Sequence, residues 1–451
     1  MAQLFKLGEV VNGKQLASGL FAGMEQTEGP LWTDGQNIVF DEGVVKKIPG
    51  KAYIANLGET IYGIAQGRVN DVNRIYAGTT TSLKLYENGI ISTIGTGYTG
   101  HAWSLCTWGD WLIATNNADF VQIWKNESTA SALSGTPFNK CKLLEKIGPF
   151  LLAINTSEGD RNVTWCDEGN PEYWPIDDTT SAAGTLPVNE FTSEIVSSCK
   201  LGDGICVFSR EELALFKYIG GVGVFGYKFL GEGGAVSKAA AISVGSTAYV
   251  MSRRAVYVTD GYSTQDIDLG IIRKWIQDNV LWEDIDTLTS VHDEVASSVS
   301  WWVPTINGTV GLTYNYASGA WTKDGFAITA ADEKMSFNSP IVAIGQNLYY
   351  TNSGTDTSSE WNLISKLFDF GYCDRFKWLD GISVIASGII KLELAFCDST
   401  DDEIVWNDFG ELGYMNFINR ESVYVKMRLS GTGTFRLSSL KMLGQIGGRT
   451  I

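Results

Sequence analysis

The sequence predicts an all-β protein: a β-propeller of about seven blades, with six as the other count its spacing allows, and a small C-terminal β-sandwich-like domain. Three observations carry this. Fifty Gly against nine Pro, with many Thr, Val, Ile and Trp, favours strands and turns over helices. The stretch Trp103–Trp124 reads as a β-meander: an apolar strand, a tight turn at Gly109-Asp110, a strand Trp111–Thr115, a polar turn Asn116–Asp119 and a strand Phe120–Trp124. The chain then repeats that meander.

Residues 1 to about 60 come first and do not match the repeat. Gly29-Pro30-Leu31-Trp32 leads into Gly35–Phe40, an Asp41-Glu42-Gly43 turn and Val44–Gly50, which together read as a hairpin ending at a Pro-Gly breaker. The first unit has Ile61–Ala65, a turn near Asp71, Arg74–Gly78 and Leu83–Tyr86. The second is the opening stretch, turning at Gly109. The third turns at Gly148 before Phe150–Asn155 and Val163–Trp165. The fourth turns at Gly204, with Ile205–Phe208 and Leu213–Phe216. The fifth turns at Gly245, with Ala248–Met251 and Ala255–Val258. The sixth turns near Asp293, with Val299–Val303 and Gly311–Tyr314, and the seventh turns at Gly345 before Leu348–Thr351.

The mean step between these turns is about 46 residues, and a period of roughly 40–50 residues with about four strands marks propeller blades. One four-stranded blade cannot cover both its faces, so blades stack in a ring. A β-sandwich or β-solenoid with accidental spacing is the alternative.

Two segments interrupt the repeat. Gly169–Glu190, with Pro171, Trp174, Pro175 and Pro187, reads as a long exposed loop, and Leu269–Asn279 has the apolar spacing of one short helix. Asn352–Ser359 is a polar linker. Trp361–Ile451 then shows strands at Ile382–Ile385, Lys391–Phe396, Val423–Leu429 and Thr434–Leu440, a small β-sandwich-like domain. The expected division is therefore 1–60 for the N-terminal strands and hairpin, 61–360 for the blades and 361–451 for the C-terminal domain. The ring needs a closing strand, and either Leu363–Phe370 or the hairpin before residue 60 can supply it.

A net charge of −17 and a pI near 4.6 argue against a sequence-reading nucleic-acid binder, which needs a basic face. They do not exclude a wall past which a duplex slides, because like charge repels phosphate, although on charge alone simple solubility is the plainer reading. Seven Cys without Cys-x-x-Cys spacing read as reduced core residues of a protein made in a cytoplasm. Met1–Lys6 lacks the apolar run of a signal peptide, and no stretch has the apolar length of a membrane helix, so a soluble protein with no membrane association is expected.

No catalytic constellation emerges. His101 and His292 lack a nucleophile or ligand at useful spacing and read as structural. No Gly-x-Ser-x-Gly, His-Glu-x-x-His or Walker loop is present. Gly220–Gly226 and Gly231–Gly234 read as turns between strands or blades. Asp398–Glu403 lacks the central Gly of a calcium loop and reads as an acidic hairpin tip. Trp103, Trp108 and Trp111 read as packing. No catalytic, cofactor-binding or metal residue is assigned, and no enzyme activity is expected.

The N-terminal run is nevertheless distinctive. Gly29-Pro30-Leu31-Trp32, then Gly35-Gln36-Asn37-Ile38-Val39-Phe40-Asp41-Glu42-Gly43-Val44-Val45-Lys46-Lys47-Ile48-Pro49-Gly50, resembles the opening of tail proteins from tailed bacteriophages. It is most similar to the nozzle, or packaged-DNA stabilisation (tail accessory), family of short-tailed phages. The ending Leu440–Arg449 also resembles family tails that close on a Gly-Gly-Arg run. The resemblance implies a non-enzymatic virion structural protein, assembled in the host bacterial cytoplasm. It implies a homo-oligomeric ring, a hexamer, below the portal and adaptor, with a distal tail needle or fibres as further partners. Such a ring retains genomic DNA and lets the double strand pass during ejection. The alternative function is a carbohydrate-binding or glycan-hydrolysing propeller tail protein.

Overall fold

The structure, a computed structural model, describes residues 5–11, 31–41, 43–268, 271–332, 339–354 and 359–450. Met1–Leu4, Gly29-Pro30, Glu42, Leu269-Gly270 and Ile451, which figure in the sequence reading, lie outside them. The chain divides into two units, one of residues 52–310 and 326–351, the other of residues 1–51, 311–325 and 352–451.

Seven four-stranded sheets are found among the described residues. Blade 1 runs Ile61–Val69, Val72–Thr79, Ser82–Glu87 and Ile90–Thr96. Blades 2 to 5 begin at Ser104–Trp108, Cys141–Ile147, Ser197–Leu201 and Ala241–Val244. Blade 6 begins at Thr289–Asp293 and blade 7 at Ala330–Asp332. These seven first strands neighbour one another in sequence order, and the seventh returns to the first. That closed ring of inner strands defines a seven-bladed propeller.

The strand that closes the ring is Ala52–Asn56. It forms the outer strand of blade 7, pairing antiparallel with Asn347–Tyr350 through Leu348↔Ala55 and Tyr350↔Ala52. Ala55, Leu57, Ile61 and Leu348 share one apolar cluster with Ile341 and Ala343, so the last blade is packed onto the first as well as paired. Neither Trp361–Ser365 nor the hairpin Ile38–Lys47 supplies this strand; both belong to sheets of the other unit.

Packing follows the faces between blades. Leu143, Leu152, Ile154 and Trp165 of blade 3 meet Ile205, Val207, Phe216 and Phe225 of blade 4. Between blades 1 and 2, Tyr76, Leu83 and Leu85 meet Trp103, Leu112 and Trp124. Trp103 is 2 % exposed, and its indole N–H donates to the Thr79 carbonyl at 2.8 Å. Trp108 and Trp111 flank the cluster between blades 2 and 3, where Lys146 and Lys125 lie 4.8 and 5.1 Å over their rings. The tryptophans of the stretch 103–124 thus pack between neighbouring blades, each half-polar ring finding a carbonyl or a cation.

Gly169–Glu190 differs from expectation. Its Gly184–Pro187 is the outer strand of blade 3, paired with Asn162–Trp165, and Pro171 and Trp174 are buried. The prolines misdirected the reading: an edge strand tolerates a missing N–H. The helix is present at Ile271–Asn279. Gly220–Gly226 makes the hairpin turn between Glu212–Tyr218 and Phe225–Glu232, while Gly231–Gly234 leads from blade 4 towards blade 5. In blade 4 the tight turn sits at Gly202-Asp203, ahead of Gly204, which opens the second strand.

Apart from residues 311–325, which run in the blade 6 sheet, the other unit is a two-sheet sandwich. One sheet pairs Trp32–Gln36, Trp361–Ser365, Tyr424–Gly431, Lys391–Cys397 and Asn407–Glu411 in that order. The second orders Ile38–Asp41, Val44–Lys47, Arg436–Thr450, Arg375–Ser387 and Met415–Ser422, with Phe5–Val11 also on the long C-terminal strand. Alternation on these strands puts Leu363, Leu392, Leu394, Met427 and Leu429 of the first sheet, and Ile382, Val384, Leu440 and Met442 of the second, in the core. The hairpin Ile38–Lys47 is therefore part of the sandwich, together with residues more than 300 positions away. Asp398–Glu403 is the tip between two paired strands, where the Asp402 carboxylate accepts the Asp398 and Ser399 amides, both at 2.8 Å.

Candidate functional site

The central channel of the propeller is a polar cavity ringed by the blades. It is a cavity of about 680 Å³ to which all seven inner strands contribute, a volume suited to a small molecule and not to a duplex. Charged side chains of both signs line it: Glu145, Asp332, Lys146 and Lys200, joined by His292 and by Ser198, whose hydroxyl donates to Glu145 at 2.9 Å. His101 is elsewhere, exposed before blade 2 and stacked on Tyr62 at 4.8 Å. The two histidines are not brought together.

Two thiols reach the channel, and neither is a nucleophile. Burial and the nearby Glu145 push the Cys106 thiol up to about 12. Burial, Cys206 and Glu145 raise Cys199 well above the ordinary thiol range. A thiol without a thiolate does not attack. At neutral pH, a charge-dependent alkylating agent should therefore label the exposed Cys373 and spare Cys106 and Cys199 in the native chain. Peptide mass spectrometry reads this; rapid native labelling of Cys106 would overturn it.

One end of the channel is crossed by a side chain. Lys238, on the segment entering blade 5, donates its ammonium to the carbonyl of Trp103, at the entry to blade 2. The backbone of Lys238 is held by the Ser197 hydroxyl at 2.8 Å. Burial, with Lys142 close by, pulls the Lys238 ammonium down to about 8.

At that end the blades also share a device the sequence reading overlooked. In blades 1 to 6 the residue that ends or follows the second strand is a buried hydroxyl: Thr79, Thr115, Thr156, Ser209, Ser252 and Thr305. Each accepts an amide of its own turn, as Ser82 N to Thr79 at 3.1 Å, Glu212 N to Ser209 at 2.8 Å and Ala255 N to Ser252 at 3.0 Å; the same holds for Thr115, Thr156 and Thr305. A short hydroxyl side chain can close a turn in this way where an apolar one leaves a buried N–H unpaired. The signal was present in the sequence as a Ser or Thr recurring once in each of the first six blades.

Carboxylates fasten the same turns to the segments between blades. Glu59 accepts from Ser82 Oγ at 2.7 Å, Thr79 Oγ1 at 2.8 Å and Thr81 N at 3.0 Å. Asp119 accepts from Thr99 N and Oγ1 at 2.7 and 2.9 Å, and Glu212 from Thr192 Oγ1 at 2.6 Å. Against the opposing pull of burial, the hydrogen bonds from Ser82, Thr79 and Thr81 bring the Glu59 carboxyl down from 4.5 to about 2. A carboxyl lower in the folded state stabilises the fold above its unfolded value, and the contribution disappears as pH falls through the folded one. Stability should therefore drop between about pH 4.5 and pH 2 more steeply in the native chain than in Glu59→Gln. Denaturant midpoints measured across that window test this; equal slopes would sink it.

The hairpin residues that carry the resemblance are architectural. Asn37 sits at φ 59° and is 6 % exposed. Its N–H donates to Lys323 O at 2.8 Å, its Nδ2 to Glu360 O at 2.7 Å, and its carbonyl accepts Ile48 N at 3.0 Å. Its Oδ1 accepts Gly325 N at 3.2 Å. Asparagine tolerates the left-handed backbone and offers both a donor and an acceptor there. Lys47, buried as well, donates to Ser359 O and Thr432 O, both at 2.7 Å.

No protein-family model and no curated protein matches the chain. Solved structures similar to it include PorZ, an essential bacterial surface component of the type-IX secretion system of Porphyromonas gingivalis, at a TM-score of 0.42 and 9% identity, covering 81% of this chain and 48% of that one. The chain thus spans about half the length of PorZ. BBS1N, in a complex with ARL6DN, is similar at a TM-score of 0.41 and 11% identity, covering 67% of this chain and 96% of that one. The fold assignment rests on the seven sheets and their closed ring.

Proposed function

We propose that the protein is a structural part of a bacteriophage tail, a nozzle or packaged-DNA stabilisation component. In this reading several copies form a ring below the portal and adaptor, retain the genome and conduct it at ejection. The observation that supports this most is mechanical. The propeller is closed by a strand from the opposite end of the repeat, so opening it requires shearing a whole ladder of hydrogen bonds and a packed cluster together. The residues of the opening hairpin that prompt the family resemblance, Asn37 and Lys47 above all, act as clamps of a β-sandwich, as a load-bearing part needs. Many carboxylates hold turns, and the channel thiols are kept protonated by burial.

Electron microscopy and native mass spectrometry of the purified chain, alone and mixed with a portal–adaptor complex, test the reading. The expected result is a closed homo-oligomeric ring seated below the adaptor. A species that stays monomeric and never joins the complex overturns it. A glycan-binding reading has one observation in its favour, the carboxylates Glu145 and Asp332 in a polar channel of ligand size. A glycan array and a hydrolysis assay without signal would remove it.

A further inference from the structure

Blades 4 and 5 present the same turn side by side, Ser209-Arg210-Glu211-Glu212 and Ser252-Arg253-Arg254-Ala255. Between them opens a cavity of about 290 Å³ whose wall carries four arginines, Arg210, Arg253, Arg254 and Arg273. Its floor is the Gly233-Gly234 segment, fixed by the Tyr257 hydroxyl, which donates to both carbonyls. A Cβ on Gly234 would lie 2.2 Å from the Arg210 backbone, so the floor and the first turn are in close contact and the glycine sets the depth of the pocket.

The four guanidinium groups fall into two kinds. Arg254 is balanced by Glu232 at 3.0 Å and Glu211 at 3.7 Å, and Arg273 by Asp266 at 2.5 Å and the fully buried Asp268 at 2.7 Å. Arg210 and Arg253 are instead held by uncharged groups. Arg210 donates Nη1 to Val236 O at 3.0 Å, and Arg253 lies 5.6 Å over the Trp282 ring. Among the described ion pairs neither has a carboxylate partner. The wall also carries Glu211, Glu232 and Asp266, and the Arg210 charge helps to lower the Glu194 carboxyl; in a chain of net charge −17, two guanidiniums without a direct ion pair on one small cavity are a distinctive arrangement. A planar fork of donors matches the oxygens of a tetrahedral anion.

We propose that this cavity between blades 4 and 5 is a binding site for a phosphate-class oxyanion, with Arg210 and Arg253 as its principal ligands. Arg254 and Arg273 shape the wall through their own ion pairs. Thr264 on the same wall gives a hydroxyl for a hydroxylated body attached to the anion. The cavity is near the lower end of ligand-pocket volumes, roughly 300–1,000 Å³, which limits that body to about one sugar unit.

The test is calorimetric titration of the full chain with inorganic phosphate and with a hexose phosphate, at ionic strength matched by sodium chloride. Binding should weaken by about tenfold or more in Arg210→Gln/Arg253→Gln, each lost charged hydrogen bond being a large share of so small a contact. Arg68→Gln, outside the cavity, should bind as the native chain does. Arg253→Gln alone, which leaves the Arg210–Val236 bond intact, reports on the site if the double variant does not fold. Tighter binding of the hexose phosphate assigns the anion to a carried sugar, and tighter binding of inorganic phosphate assigns it to the free ion. Absence of binding by both, or affinity unchanged in the arginine variants, overturns the proposal.

Discussion

Gly78→Ala is expected to be among the most destabilising single-methyl changes in the chain. The added Cβ would lie 2.3 Å from Trp103 Cγ and 2.4 Å from Cδ2, inside a ring that is 2 % exposed. The indole cannot retreat. Its N–H is tied to Thr79 O, its Cβ stands 2.7 Å from where a Cβ on Gly63 would be, and Tyr98 packs edge-on at 5.1 Å. Overpacking of this kind costs about 1–3 kcal/mol, and the tether places this site at the upper end. Gly433→Ala, where nothing lies within 4 Å, is the matched control. Chemical denaturation should show a clear loss for Gly78→Ala and little change for Gly433→Ala. In a double-mutant cycle with Trp103→Leu the two losses should fall short of adding, because the smaller side chain frees the space. Additive losses would refute the steric account.

Ala55→Asp should do comparable damage by a different route. Ala55 pairs with Leu348 in the closing sheet and is 7 % exposed within the cluster that joins blade 7 to blade 1. An unpaired carboxylate buried there costs at least about 3 kcal/mol. The damage should be local to the seam. Limited proteolysis should cut in blades 7 and 1 while blades 3 and 4, with their own shared cluster, stay protected. Uniform cleavage around the ring, or none, would contradict the seam as the weak point.

The repeat was legible because blade cores impose it. Runs such as Ile205–Phe208 and Leu151–Ile154 are apolar on both faces, as strands packed between two neighbours must be, and the positive-φ glycines Gly109, Gly148, Gly245 and Gly345 mark the hairpins. What stayed hidden depends on distance in the chain. Nothing local in Ala52–Asn56 says that it pairs with Asn347–Tyr350, and nothing in Asn37 says that its partners are Lys323, Gly325 and Glu360. Gly184–Pro187 was concealed by a proline that only an edge position admits. The arginine cavity was invisible because Arg210, Arg253 and Arg254 are exposed turn positions that become a wall only when two blades stand together.

The seam also sets a schedule for synthesis. Ala52–Asn56 leaves the ribosome roughly 290 residues before Asn347–Tyr350, a wait of about 15–60 s at elongation rates of about 5–20 residues per second. Through that interval Tyr53 and Ile54 belong to a strand with no ladder to join, and six blades accumulate with an open flank. The nascent chain is then most exposed to mispairing with a neighbour on the same message. A chaperone that shields extended apolar segments should matter most before the last blade emerges, and little once the two ends have met.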